Sequence, residues 1–494
     1  MPNGISRRRF GMLAGGALAA TAVACSSTDH KPAPNAPSPP PPPGNNAVSA
    51  QSLGYTVNVD KPGGAPGYVF FVSGTSAANP TAGGGVSVLV IADKAGRVVW
   101  QRELPPGQVG GNLRVQTYQG RPVLTWWQGL RMGSHGIGFN CIADQHYNVL
   151  TTLTPGGDLS SDIHEFRLTP DGHALITAYQ EVTTDLTAVG GPKDGRIFNC
   201  IATVVDVATR KTLFQWDALS HVPVADSPEK HAPGEVFDPY HMNSIALDPA
   251  GNLLISLRAV STVFNIDPRS GAINWQLGGK HSTFELGDGV EFAFQHDAEM
   301  PDPTTLTVFD NHFEGSRAQP GGGSVPTRLK WIRLDFAART ATLVRAQPHP
   351  GNLSAGAMGN LQQLPGGTAF SGWGTAGHIA EFAADGDMLY DATLTDGTYR
   401  AFLDEWTGDP VLPPQLMFTD NGIRASWNGA TTVARWRLLH GTLSNAMTEV
   451  ATVDWSGYDT PIPLRDKPDG YYQVQALDGG GAVLNQTPPL PRPR

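Results

Sequence analysis

Residues 240–258 read YHMNSIALDPAGNLLISLR. An apolar run climbs to Leu247, a turn follows, and a second apolar run ends at Leu257. Asp248-Pro249-Ala250-Gly251 carries proline second and glycine fourth, where a type I turn prefers them. Counted outward from a four-residue turn without a bulge, Leu247 pairs with Asn252, Ser244 with Ile255 and His241 with Arg258. Residues directly opposed across two strands share a face, about 5 Å apart. Asn243 and Ser256 join His241 and Arg258 on that face. Met242, Ala246, Leu253, Ile255 and Leu257 fall on the reverse, which is core. The hairpin thus has one apolar side and a polar cluster at its open end.

The same pattern recurs as DIHEFRLTPDGHALITAY (162–179), FQHDAEMPDPTTLTVFDN (294–311) and MGNLQQLPGGTAFSGWG (358–374). Second hairpins lie between the copies, at 88–104, 263–277 and 379–394. Short apolar runs bounded by Pro, Asp and Gly, with no long amphipathic helix, predict an all-β chain. Four strands per unit, repeated around a ring, is the β-propeller solution to exposed sheet edges. Copies roughly 55 to 80 residues apart across residues 51–410 give six blades. After Pro410 the turn-centred hairpins stop. Residues 411–494 read as a small β-sandwich of fibronectin type III or immunoglobulin kind.

The start of the chain predicts export rather than fold. Ser6-Arg7-Arg8-Arg9-Phe10 is a twin-arginine signature, and Gly11–Val23 is apolar but too short for a permanent span. The run ends in Ala22-Val23-Ala24-Cys25, which resembles a lipobox, so residues 1–25 are expected to be an export signal with Cys25 lipidated. Residues 26–50 hold eight prolines between Pro32 and Pro43, a stiff polyproline spacer suited to an anchored protein. The alternative is a soluble secreted protein. The formal net charge is −10, with no basic stripe, which excludes nucleic acid as the expected partner. Cys141 and Cys200 both stand in the phrase FNCIA. Equivalent positions in neighbouring repeats argue against a disulfide, because its Cα atoms must approach within about 7 Å.

The candidate chemistry follows from the hairpins. With Thr169-Pro170-Asp171-Gly172 as the turn, His164 faces Thr177 and Asp162 faces Tyr179. Aligned on the turns, Asp162 matches His241, His164 matches Asn243, and His296 falls within one residue of the His164 position. If these are innermost strands, three imidazoles and the Arg258 guanidinium converge at the mouth of a central channel. Histidine clusters also hold zinc or copper, with Asp162 or Glu165 as further ligands. A guanidinium beside them disfavours a cation, so anion chemistry is expected and no metal site is assigned.

DIHEFRLTPDG, YHMNSIALDPAGNLLISLR, FQHDAEM…TVFDN, GNLQQLPGGTAFSGWG and TYRAFLDEW together resemble the arylsulfotransferase family, as do TWWQG (125–129) and GSHGIG (133–138). The resemblance covers most of residues 51–410. It implies a six-bladed propeller that moves a sulfuryl group from an aryl sulfate to a phenol, without a nucleotide sulfate donor and without a cofactor. It also implies a transiently sulfated histidine. His296 in QHD matches the nucleophile, and His164, His241 and Arg258 match the assisting groups. GSHGIG has a serine where a compact Gly-His-Gly is expected, so His135 receives no role. Asn243, Tyr179, Trp127 and Trp373 are expected to contact substrate, with Trp126 as a further wall residue; blade core is the competing place for the tryptophans. The expected partners are small aromatic sulfate esters and phenols, and a membrane through the lipid anchor. The competing classes are a non-catalytic envelope propeller binding an anionic or aromatic ligand or a partner protein, and a metal-dependent hydrolase or lyase.

Overall fold

The computed structural model of the chain describes residues 53–74, 86–312, 325–466 and 468–493. The expected signal, the spacer and Cys25 lie outside them. Among the described residues the chain is all-β, with helix confined to 3-10 turns such as Thr187–Val189.

Six of the sheets are built on antiparallel strands that follow largely in chain order; the fifth adds a short edge strand, Glu285–Leu286, parallel to Thr340–Pro348. The second uses Val109–Tyr118, Arg121–Met132, His135–Ala143 and Val149–Leu153, and the third Phe166–Leu168, His173–Thr184, Gly195–Asp206 and Thr212–Asp217. The fourth uses Met242–Leu247, Leu253–Leu257, Thr262–Ile266 and Ile273–Gly278. The fifth is built on His296–Asp302, Thr305–Asp310, Arg328–Asp335 and Thr340–Pro348. The first and sixth exchange chain ends. Phe402–Asp404 pairs with Tyr68–Ser73 of the first sheet, and Tyr55–Asp60 pairs with Met388–Leu394 of the sixth.

Many of these strands are buried on both faces because each sheet is sandwiched between its neighbours. One apolar cluster lies between the third and fourth sheets, around Leu175, Ile197, Met242 and Ile255. Others lie between fourth and fifth, fifth and sixth, sixth and first, first and second, and second and third. Buried amides stitch neighbours together. Asn112 donates to Ile163 O, Asn243 to Gln295 O, and Asn360 to Ala401 O, each at 2.7 to 2.8 Å. The sequence of contacts starts and ends on the first sheet. Where the inner strands meet, fully buried Arg400 bonds Glu165 at 2.9 Å and approaches Asp297 at 3.4 Å. Arg167 reaches the same Asp297 oxygen at 3.3 Å and also bonds Glu299.

The opening hairpin departs from its expected register in the middle and recovers it at the end. Its loop has five residues, with Asp248 N–H donating to Asn252 O and Gly251 N–H to Asp248 O, both at 2.9 Å. Gly251 has φ +86°, the left-handed conformation that glycine takes without penalty. The extra residue shifts the pairs to Leu247–Leu253, Ile245–Ile255 and Ser244–Ser256. A β-bulge at Asn243 then shifts them back, so Met242 faces Leu257 and Arg258 N–H donates to His241 O at 3.0 Å. The sister hairpin differs similarly. Thr177 faces Glu165 rather than His164, and Asp162, not expected there, donates its N–H to Thr177 O at 2.9 Å. His164 is lifted out of the ladder between them.

Cys141 and Cys200 are free, buried thiols in different apolar clusters. Residues 415–491 form two facing antiparallel sheets around Ile423, Trp427, Trp436, Leu438 and Val474. They dock on the first sheet, Gly429 N–H donating to Val99 O and Tyr458 N–H to Val98 O.

Candidate functional site

His164 and His241 are placed by one local device. Each follows an aspartate that accepts the histidine backbone N–H, Asp162 for His164 at 2.9 Å and Asp238 for His241 at 3.1 Å. The same carboxylates take the ring: His164 Nδ1 bonds Asp162, and His241 Nδ1 lies 2.5 Å from Asp238 Oδ2. With Nδ1 bound, each ring turns Nε2 away from its carboxylate. His241 sits at φ +53°, a region non-glycine residues enter at a cost and which clusters at functional sites. The ring centres of His164 and His241 are 4.9 Å apart.

His135 joins them. Its Nε2 lies 3.2 Å from the Asp238 oxygen that also holds His241. Its ring is 5.3 Å from His241 and 6.1 Å from His164. The hairpin carrying it can approach because Gly136 lies on the Trp127 ring; an added Cβ there would meet that ring at 2.5 Å. Gly136 N–H donates to Asp162 at 2.7 Å.

His296 opens the fifth sheet and is 1% exposed. Its Nδ1 is 2.7 Å from Asn311 Oδ1, and Met358 N–H donates to its Nε2 at 3.2 Å. Arg258 lies with its guanidinium 4.7 Å from the Phe294 ring centre, and its Nη2 donates to Gly356 O at 3.3 Å. Its buried Nε has no hydrogen-bond partner. Tyr399 stands 5.6 Å from His164 and 6.4 Å from His296.

These groups share one cavity of about 420 Å3, lined by His164, His241, His296, Arg258, Tyr399 and Asp238. The rim carries Arg131, Glu229 and Lys230. Burial would raise the Asp238 carboxyl, but His241 and His135 hold it well below the usual range. Asp162 is lowered against its burial mainly by His164. Burial pushes His241 down to about 4, with His164 and Arg258 adding to the shift against Asp238. Burial and then Arg258 drive His296 well below an ordinary imidazole. His135 is raised instead, because Asp238 and Asp162 outweigh its burial. At neutral pH the cavity therefore presents neutral imidazoles at His241 and His296 beside a guanidinium.

Two overlapping sets, His135–Asp162–His164 and His135–Asp238–His241, have ligand atoms close enough to hold a metal. Those carboxylate oxygens already accept imidazole nitrogens, and Arg258 adds positive charge beside His241. The arrangement suits an anion.

Of the residues given a catalytic or substrate-binding role from the sequence, His164, His241, His296 and Arg258 line the cavity, and Asn243, Tyr179, Trp127, Trp373 and Trp126 do not. Trp127 and Trp373 are fully buried: Trp127 donates to Ser161 O at 3.0 Å, and Trp373 packs between the fifth and sixth sheets. Trp126 is core as well. Asn243 is buried at the bulge, its amide spent on Gln295. Tyr179 donates to Met242 O at 2.7 Å and supports His135 from behind, ring centres 4.0 Å apart. Asp238, Tyr399, Asn311 and His135 are groups that sequence reasoning left without a role. Each had a signal, since Asp238 opens DPYHMN, Asn311 closes TVFDN, Tyr399 lies in TYRAFLDEW and His135 stands in GSHGIG, set aside for its extra serine.

Residues 114–394 match the model of a family described as Arylsulfotransferase (ASST). No curated protein matches the chain. Among solved structures, a protein of unknown function from Bacteroides caccae is 13% identical, with 66% of this chain and 93% of that one covered and a TM-score of 0.37. Virginiamycin B lyase from Staphylococcus aureus is 9% identical over 75% and 95%, with a TM-score of 0.31. The β-propeller domain of Myceliophteria thermophila Cps50 (Swd1) is 10% identical over 64% and 93%, with a TM-score of 0.33.

Proposed function

The chain belongs to the arylsulfotransferase family, and on that footing we propose that it moves a sulfuryl group from an aryl sulfate to a phenol through a sulfo-histidine at His296. Aryl sulfotransfer is the activity of the family; the intermediate, its residue and the cellular setting are our reading. The observation that carries it is a neutral, buried His296 in one cavity with Arg258 and two aspartate-buttressed histidines.

The neutral imidazole attacks sulfur and the aryl oxygen leaves as phenolate. Negative charge on the three sulfuryl oxygens is held by Arg258, whose planar fork meets two oxygens at once. The free Nε2 of His241, its Nδ1 bonded to Asp238, takes the proton of the incoming phenol in the second half of the cycle. Tyr399 and Met358 line the space left for the aryl ring. No cofactor and no nucleotide donor enter this scheme.

The six meanders and the exchange of end strands support a six-bladed propeller over residues 51–410. The two facing C-terminal sheets, of three and five strands, support a fibronectin type III- or immunoglobulin-like unit over 411–494. Twin-arginine export and lipid anchoring at Cys25 rest on the sequence alone, and a membrane-fraction assay of Cys25→Ser tests them.

The deciding experiment is intact mass after mixing chelator-treated protein with 4-nitrophenyl sulfate and no acceptor. The expected result is a gain of roughly 80 Da, one sulfuryl group, that is discharged by added phenol and absent in His296→Asn. No gain and no nitrophenol release would favour the binding propeller. Activity lost on chelation would favour the metal enzyme.

A further inference from the structure

His296 is read above as the nucleophile, and the inference here rests on that reading. Either ring nitrogen of a neutral histidine can carry the proton, and only the other has a lone pair to attack sulfur. The surroundings of His296 decide between them. Asn311, 2% exposed, spends both amide hydrogens on carbonyls, donating from Nδ2 to Ala355 O at 2.9 Å and to Met358 O at 3.0 Å. Its orientation is therefore set, and Oδ1 faces His296 Nδ1 at 2.7 Å. A carbonyl oxygen only accepts, so Nδ1 must donate. On the far side Met358 N–H points at Nε2, which a protonated Nε2 would repel.

We propose that Asn311 is the positioning residue that fixes His296 as its Nδ1–H tautomer, making Nε2 the atom that bonds sulfur. In the first half-reaction the Nε2 lone pair exchanges its hydrogen bond from Met358 N–H for the N–S bond, the S–O(aryl) bond breaks, and its electron pair leaves on the phenolate. Nδ1 keeps its proton, so the intermediate is an N-sulfo imidazolium whose Nδ1–H still donates to Asn311 Oδ1. In the second half the acceptor oxygen bonds sulfur, the N–S pair returns to Nε2, and the acceptor's proton passes to His241. A neutral acceptor suits both halves. A carboxylate at this place would draw off the Nδ1 proton, neutralise the intermediate and make it a poorer sulfuryl donor. The same carboxylate would favour the protonated ring in the free enzyme.

The test uses the full protein labelled with 15N-histidine, with the His296 signals identified by their loss in His296→Asn. The proposal expects the Nδ1–H tautomer in the wild type and a shift toward Nε2–H in Asn311→Leu. It also expects kcat to fall roughly 10- to 1,000-fold in Asn311→Leu at a nearly unchanged KM. Asn311→Asp should raise the pH midpoint of the donor half-reaction and lengthen the life of the sulfo-enzyme toward phenol. An Nε2–H tautomer in the wild type, or an unchanged tautomer in Asn311→Leu, overturns the proposal. Should Asn311→Leu fail to fold, the wild-type tautomer and the Asn311→Asp pH profile decide it. A wild type with the Nδ1–H tautomer that never gains a sulfuryl group would instead sink the sulfo-histidine reading and leave the tautomer standing.

Discussion

At the scale of single residues, two imidazoles of the proposed site are kept uncharged. His241 is held near 4 and His296 well below its ordinary value, against about 6.5 for an unfolded histidine. A nucleophile with a depressed pKa stays a free base in mild acid. The single-turnover rate of donor cleavage should therefore stay flat from pH 8 to about 5.5, where an ordinary histidine would already have lost most of its lone pair. A midpoint near 6.5 would count against a buried His296. Stability moves with the same sign. In the folded state His241 binds fewer protons than in the unfolded chain, so its contribution is complete above about pH 6.5 and is lost as pH falls toward 4. Urea midpoints measured across that window should decline in acid, and less steeply in His241→Asn. Arg258→Lys keeps a charge but loses the fork, and transfer should slow by roughly 100-fold with the urea midpoint little changed.

At the scale of elements, the hairpins were legible because Pro, Asp and Gly mark their turns. Their exact register was not. The five-residue loop at Asp248–Asn252 adds a residue, and the Asn243 bulge removes the error, so the His241–Arg258 pair was reached through intermediate pairs that do not form. A bulge has no composition of its own to read. His135 and Tyr399 stand in GSHGIG and TYRAFLDEW, but they enter from other sheets, and nothing in either phrase ties them to the histidine hairpins; the extra serine in GSHGIG also counted against His135. The tryptophans were over-read, since a large aromatic near a motif belongs to core as readily as to substrate. Trp127 still bears on the site through Gly136. Gly136→Ala forces the hairpin off the Trp127 ring and loosens the bond to Asp162. The expected cost is about 1–3 kcal/mol in denaturant unfolding, with a matching loss of transfer. Full activity in that variant would detach His135 and Asp162 from the chemistry.

At the scale of the molecule, sheets of consecutive strands meet around an ionic network of buried Arg400, Glu165 and Asp297 with half-buried Arg167 and Glu299. Periodicity revealed the sheets, but no pattern within one hairpin could pair residues more than two hundred positions apart. Breaking a buried ion pair on one side leaves an uncompensated charge, typically at about 3–5 kcal/mol. Arg400→Leu should lower stability by that order in chemical denaturation, and Arg400→Leu with Glu165→Leu should lose less than the single change. Equal losses would mean that the two side chains are not coupled.

The exchange of end strands sets a schedule. Tyr55–Asp60 waits for a partner at Met388–Leu394, and Tyr68–Ser73 for one at Phe402–Asp404. A ribosome releases the first of each pair more than three hundred residues before the second. Until then the earliest strands have open edges, and Tyr399 and Arg400 do not yet exist to meet His164 and Glu165. Chains cut short before residue 404 should therefore yield no partial catalyst, only unclasped sheets that chaperones must hold apart.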